Sequence, residues 1–483
     1  MDNVPVVVGV GSIQQKGSFD DLDEALILMD KAVKIAVNDS NKDITKYIDE
    51  IRIPKGYWKY RDPGSWIAIN NNFVKKPKTY ITKIGVLQQN LINEAIKNIH
   101  NGSIEASLIV GGESRYKMVQ AYREDREYKE IKLEQNPYSY VKAISDLNLK
   151  EEVDELTQMA VGYYAILESA YRFNKKLSLD EHNIAIAKLY EGFSEVAYSN
   201  IDAWSDKKFS AEEIINISEK NKQQAYPYNK LHCTSWNINQ ASAVIICNKK
   251  IADLLDIDES KRIYPLASSE NNHMIPLIKR PKLINPIGML LAANFIKDKI
   301  DKLDREINLF DLYSCFPVAV EMFADFLNLK LSKKLTITGG MSFAGGPLNH
   351  YVLASTVKLV EKLRSDKSKI GLITGVSGVM TKQSFALWSG KFIEDFSFKD
   401  VTEDAKLNDK PKNLSPKDSG TAKIIGYTIL NDKKYNEKKA VIYAEDENKD
   451  RLVLHSKNNM IISEMEKNEW VGKKVKFKNK SLL

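Results

Sequence analysis

The chain has three cysteines, Cys233, Cys247 and Cys315, and no two of them share the C-x-x-C spacing of a zinc knuckle or redox pair. An odd, scattered set cannot build a disulfide framework. Thiol chemistry here would be that of single cysteines in a reducing compartment, so a cytoplasmic location is expected, and no metal centre is expected. His232-Cys233 has the residue types of a base and a nucleophile, but neighbours on an extended segment point to opposite faces. Glycine-rich turns are the other feature able to do chemistry. Gly339-Gly340, Gly345-Gly346-Pro347 and Gly375-Val376-Ser377-Gly378 precede or join regular elements. At a helix start such turns present backbone N–H groups, which bind phosphate or an oxyanion without side-chain help. Gly9-Val10-Gly11 has no third glycine at the dinucleotide-fingerprint spacing, so no cofactor is expected there.

These residues need elements to position them. The 483 residues suggest roughly three units of ~150 residues each. Apolar residues at 43% and charged residues at 28% are ordinary for a soluble globular protein. The apolar stretch around 287–296 is too short to span a bilayer, and the N-terminus has no basic segment or small-residue cleavage site of a signal peptide. Val4 to Val8 predicts a buried strand. From Asp20-Asp21 onward, Leu22, Ala25, Leu26, Met29, Ala32, Val33 and Ala36 mark one face of a helix. Leu87 to His100 predicts a second helix, stopped by Asn101-Gly102, and Ala106 to Val110 a strand.

Residues 117–230 read as a helical insertion rich in tyrosine, with a capping box at Ser178-x-x-Glu181 and aromatic residues filling a small core of their own. Strands are expected again at 241–247, 307–312, 335–338 and 370–374, with helices at 316–327 and 351–363. The order of strand, helix and glycine-rich turn thus occurs twice, which predicts a duplicated α/β half. The expected division is 1–285 with the insertion, 286–405, a polar linker at 406–420, and a small β-barrel of OB type at 421–483. That last segment holds fourteen basic and nine acidic residues, so it carries +5 of the chain's +7. Nucleic-acid binding needs exposed aromatics among the positive charges. Only Tyr435, in a lysine-rich loop, has that character, so a solvated basic face is the preferred reading and nucleic-acid binding the alternative.

Six collinear segments carry a resemblance: 56–64 (GYWKYRDPG), 87–114 ending in Gly-Gly-Glu-Ser, 182–204, 237–246, 311–317 and 338–347, with 425–428 and 469–473 in the tail. Together they resemble the thiolase superfamily, within it the sterol-carrier-protein thiolase branch, and most of all its type 1 thiolase-like proteins. These are often labelled acetyl-CoA acetyltransferases and carry an additional C-terminal barrel. The resemblance implies a five-layered αβαβα fold of two similar halves and acyltransferase chemistry of lipid metabolism. It also implies a coenzyme A thioester as a candidate ligand and no bound cofactor. A partner enzyme could dock through the barrel.

The family's chemistry uses a nucleophilic cysteine at the start of a central helix, a histidine in a Gly-His-Pro turn and a second reactive cysteine. The resemblance places the nucleophile between Ile84 and Gln88, where there is no cysteine, serine or threonine. The histidine position is Gly346, the second cysteine falls near Thr374, and a His-Asp-Cys-Phe sequence is replaced by Tyr313-Ser314-Cys315-Phe316. One general acid/base group is typically worth ~10²–10⁴ in rate, so normal thiolase turnover is not expected and a binding or scaffold role is. The residues left to act are Cys315, His350 and Tyr313 as non-standard catalytic groups of an acyltransferase or thioesterase. Gly85, Gly345, Gly346, Asn349, Gly375 and Ser377 would line the acyl-thioester site.

Overall fold

The computed structural model describes residues 2–40, 43–143, 148–432 and 437–483. Its first sheet runs in the order Pro5–Gln14, Asn239–Asn248, Ala106–Ser114, Ile48–Pro54, Lys78–Thr82, Ser139–Val141. The strand Asn239–Asn248 is antiparallel to both its neighbours and the rest of the sheet is parallel. The valine-rich strand Pro5–Gln14 serves two layers because successive side chains face opposite sides. Val6 and Val8 pack with Leu26, Met29 and Val33 of the outer helix Ala25–Ser40. Val7 and Val10 face the other way, into the core formed with Leu91, Ala95, Ile96 and Ile99 of helix Gln88–His100. Gly9 and Gly11 belong to this packing. A Cβ there would lie 2.3 Å from the Ala36 oxygen and 2.4 Å from the Ala32 oxygen, so they let the outer helix lie against the strand.

The second sheet has the order Leu309–Asp311, Ile370–Ser377, Lys382–Ser389, Tyr264–Asn271, Ser397–Asp400. Helix Tyr351–Ser365 lies beside Gln88–His100 in the middle layer and contributes Val352, Leu353, Val357 and Val360. Helix Ile287–Lys302 covers the second sheet with Met289, Ala292, Ala293 and Ile296. The layers are therefore helix, sheet, helix, sheet, helix, as expected. The segment 335–338 is not a strand. Its Ile337 and Thr338 N–H groups donate to the buried Asp311 carboxylate at 2.9 and 3.2 Å, which takes the place of a neighbouring strand. Two strands of this sheet, Tyr264–Asn271 and Lys382–Ser389, carry buried polar residues such as Ser268, Glu270, Gln383 and Ser384, which hide the apolar pattern.

In the insertion, helix Leu179–Tyr198 starts on the expected capping box: Glu181 N–H donates to Ser178 Oγ at 3.2 Å and Ser178 N–H to Glu181 Oε2 at 2.9 Å. The insertion's aromatics do not form a separate core. Tyr163, Tyr164, Tyr171, Tyr190 and Phe193 join the main core, and Tyr164 stacks on Phe316 with ring centres 4.6 Å apart. Phe173 and Tyr198 are exposed.

At the C-terminal end, Ser419–Asp432 pairs with both Glu437–Glu445 and Lys474–Lys478. Arg451–Ser456 and Ser481–Leu482 complete the ring, so five strands close into a barrel. Tyr427, Tyr443 and Phe477 are buried; Tyr435, with Lys433 and Lys434, lies outside the described residues. The barrel is fastened to the body. Tyr427 N–H donates to Ser169 Oγ at 2.8 Å, Tyr443 OH to Glu152 Oε1 at 2.7 Å, and the buried Arg172 pairs with Glu469 at 3.0 Å. Residues 406–420 are held as well, through Lys412 N–H to Lys279 O at 2.8 Å and Ser415 N–H to Arg451 O at 2.9 Å. Among the described residues no helix is long and apolar enough to cross a membrane.

Candidate active site

The two central helices begin side by side, so the N-termini of Gln88–His100 and Tyr351–Ser365 meet between the halves. Gln88 joins them. Its Oε1 accepts the Val352 N–H at 2.8 Å and its Nε2 donates to Leu348 O at 3.5 Å. The Tyr313 ring stands edge-on to Tyr351 with centres 5.8 Å apart. Gly85, at φ +100°, makes the turn before the first helix, and its carbonyl accepts Lys382 Nζ at 2.9 Å.

The turn at Gly345-Gly346-Pro347 is packed. A Cβ at Gly346 would lie 2.0 Å from Thr234 Cγ2, and one at Gly345 2.5 Å from Gln240 Oε1. Gly345 also adopts φ +106°, which favours glycine. Three of the N–H groups offered by the glycine turns are engaged: Gly346 donates to Ser235 O at 2.8 Å, Gly339 to Thr336 Oγ1 at 2.9 Å, and Gly340 to Thr338 Oγ1 at 3.2 Å. Gly375 is paired with Ser384 inside the second sheet, and Ser377, half-buried, is opposite Lys382 at the end of that pairing. Thr374 is used structurally, its hydroxyl accepting the Tyr313 N–H at 2.8 Å.

Cys315 and His350 occupy different surroundings. Cys315 is buried just before helix Pro317–Phe326. Burial pushes its thiol up to about 12, beyond what a hydrogen bond with Tyr164 offsets, so at neutral pH it is protonated and a weak nucleophile. His350 is the N-cap residue of Tyr351–Ser365 and packs against Gly111 and Pro54, with Nε2 lacking a partner. Burial lowers it to about 3, so it is neutral. Together with Asn349, Gln88 and Leu91 it lines a small cavity, and Asn349 Nδ2 donates to Thr82 O at 3.4 Å. No hydrogen bond or ion pair joins Cys315 to His350 among the described residues. His232 and Cys233 likewise bond the backbone rather than each other: His232 Nδ1 accepts from Asn229 N–H at 3.2 Å, and Cys233 Sγ donates to Asn229 O at 3.4 Å.

Two site groups carry no sequence signal. Lys382 is buried at 3% exposure, with its amine pushed down by burial, and is one lysine in a lysine-rich chain. Glu270, fully buried, accepts from Asn93 Nδ2 at 2.5 Å and Asn272 Nδ2 at 3.1 Å, fixing the first central helix to the second sheet.

No family model and no curated protein sequence matches the chain. Solved structures do. A monomeric SCP2-thiolase-like protein type 1 from Mycobacterium smegmatis superposes over 100% of this chain and 99% of its own, with TM-score 0.83 at 20% identity. Human mitochondrial 3-ketoacyl-CoA thiolase covers 81% of this chain and 100% of its own, with TM-score 0.57 at 15% identity. The Ltp2–ChsH2(DUF35) aldolase covers 81% and 99%, with TM-score 0.56 at 14% identity. The fold of this chain is that of the thiolase superfamily, matched from end to end by the SCP2-thiolase-like protein.

Proposed function

We propose that this chain is a thiolase-fold protein without turnover, which binds an acyl thioester or acyl group of lipid metabolism and presents it to a partner. The observation that carries the reading is Gln88. The segment where the fold's nucleophile is expected holds no thiol or hydroxyl, and its last residue bonds the opposite half instead. The histidine position, Gly346, has no room for a side chain against Thr234.

The residue suited to meet a ligand oxygen is Lys382. Its ammonium has three donors and gives one to Gly85 O, at the helix start where the thioester is expected. The same reading assigns Gly85, Asn349 and Ser377, with Gly345, Gly346 and Gly375, to the lining of the thioester site. Cys315, Tyr313 and His350 are retained as wall groups; the buried, protonated thiol speaks against Cys315 as an acyl acceptor. A partner docking through the barrel is supported by the neighbour that is a two-component aldolase, and the OB-type barrel would be the docking module.

Calorimetry with coenzyme A and acetyl-CoA, joined to intact mass after incubation, tests this. Binding without a mass adduct, weakened at least tenfold by Lys382→Met, is expected. A stable acetyl adduct on Cys315 would instead establish the acyltransferase alternative, and no heat from either ligand would remove the thioester reading.

A further inference from the structure

The helical insertion encloses a second cluster that the thiolase site does not use. Glu168, on helix Ala160–Asn174, His182, on Leu179–Tyr198, and Glu321, on Pro317–Phe326, are buried at 0, 0 and 1% exposure. One donor atom from each lies within 4.8 Å of the other two. His182 Nε2 and Glu168 Oε1 are 2.5 Å apart, and the Tyr228 hydroxyl donates to the other Glu168 oxygen. With Nε2–H engaged, His182 Nδ1 is left as a lone pair. It stands 3.9 Å from Glu321 Oε1, too far for a hydrogen bond. Nδ1 and Glu321 Oε2 have no partner at all.

Two orphaned polar atoms in a fully buried cluster of three ionisable groups are costly unless something satisfies them. An imidazole nitrogen and a carboxylate are donors that suit a divalent transition cation, bound at about 2.0–2.2 Å to each ligand atom. The acceptance of a ring N–H by a carboxylate that is itself hydrogen-bonded is the usual support of a metal-binding histidine. We infer that His182 Nδ1 and the Glu321 carboxylate bind one divalent cation, of the Zn²⁺ class, with Glu168 orienting the imidazole from its Nε2 side, which ties the insertion to the second half of the fold. Glu321 through both oxygens would bring the donor count to three. Neither His182 nor Glu321 is among the residues of the thioester reading, and the inference stands independently of it.

Because the cluster has no exposure, the cation enters during folding. The full chain is unfolded in urea with chelator, refolded with Zn²⁺ or Co²⁺, dialysed, and its metal measured by elemental analysis. About one equivalent retained is expected in the parent and in Asp325→Asn, a surface change one turn along the Glu321 helix. Glu321→Gln, which keeps shape but removes an anionic ligand, should retain at least tenfold less with unchanged circular dichroism. With Co²⁺, visible ligand-field bands in the parent give a readout that does not depend on any variant folding. A parent chain that refolds but retains no cation and shows no cobalt bands would overturn the inference, as would equal retention in Glu321→Gln.

Discussion

Gln88 Oε1 accepts the Val352 N–H at 2.8 Å, so one side chain at the start of the first central helix caps the first turn of the second. Val352 is fully buried and its N–H has no water to turn to. Gln88→Ala should cost about 1–3 kcal/mol, read as a shift of the urea midpoint with an unchanged slope. Gln88→Cys should be destabilised similarly and still show no turnover of acetoacetyl-CoA with coenzyme A, because no base stands at Gly346.

The three thiols should be unreactive in the native chain. Burial pushes Cys315 and Cys247 up to about 12, and raises Cys233 as well. Iodoacetamide at pH 7.5 followed by intact mass should show little labelling over an hour and three additions in urea. Rapid single labelling of the folded chain at Cys315 would contradict the assignment of that thiol as protonated and inaccessible.

The contact between Gly346 and Thr234 makes a double-mutant cycle. Gly346→Ala places a methyl group 2.0 Å from Thr234 Cγ2 and should cost about 2–3 kcal/mol. Thr234→Ser removes that methyl but keeps the hydroxyl, which donates to Cys315 O at 3.0 Å. The double variant should recover most of the loss, a coupling visible in thermal melts of all four chains.

His350 should make the fold acid-sensitive. Its folded pKa, lowered by burial to about 3, lies below the unfolded value of about 6.5. Between the two, only the unfolded chain takes up the proton, so this contribution is complete above about pH 6.5 and shrinks as pH falls. From pH 7 to pH 5 the loss from this residue is about 2 kcal/mol. His232, lowered by burial to about 4, acts in the same direction. Denaturation curves at both pH values should show His350→Gln losing less stability over that interval than the parent, with the His232 share of the slope remaining.

The sequence displays the regular half of this molecule well. Helices 88–100 and 351–365 and the strand at 241–247 are apolar on schedule, and the glycine turns mark where the halves meet. It is silent where polar groups replace pattern. Asp311 does the work of a strand edge for 337–338, and Ser268, Glu270 and Gln383 break the apolar run of strands that lie wholly inside. The absence of a nucleophile at 84–88 is visible in the residues, whereas the use of Gln88 as a cap needs the partner helix, 264 positions away. Lys382 and the Glu168–His182–Glu321 cluster share this property, since no short spacing links residues that meet only after folding.

The closing strands of the barrel reach back into the body: Leu430 pairs with Ala225 of the insertion, and Val441 and Tyr443 belong to the same core as Tyr163 and Tyr164. Synthesis delivers these pieces in the reverse of the order in which the core needs them. While the ribosome still holds residues beyond 419, the face of helix Ala160–Asn174 that carries Ile166 and Ser169 lacks the barrel strand that covers it, and the nascent chain must carry that surface until those strands emerge. Chaperone dependence during translation, rather than the stability of the finished fold, is then the point at which mutations in the barrel should be felt first.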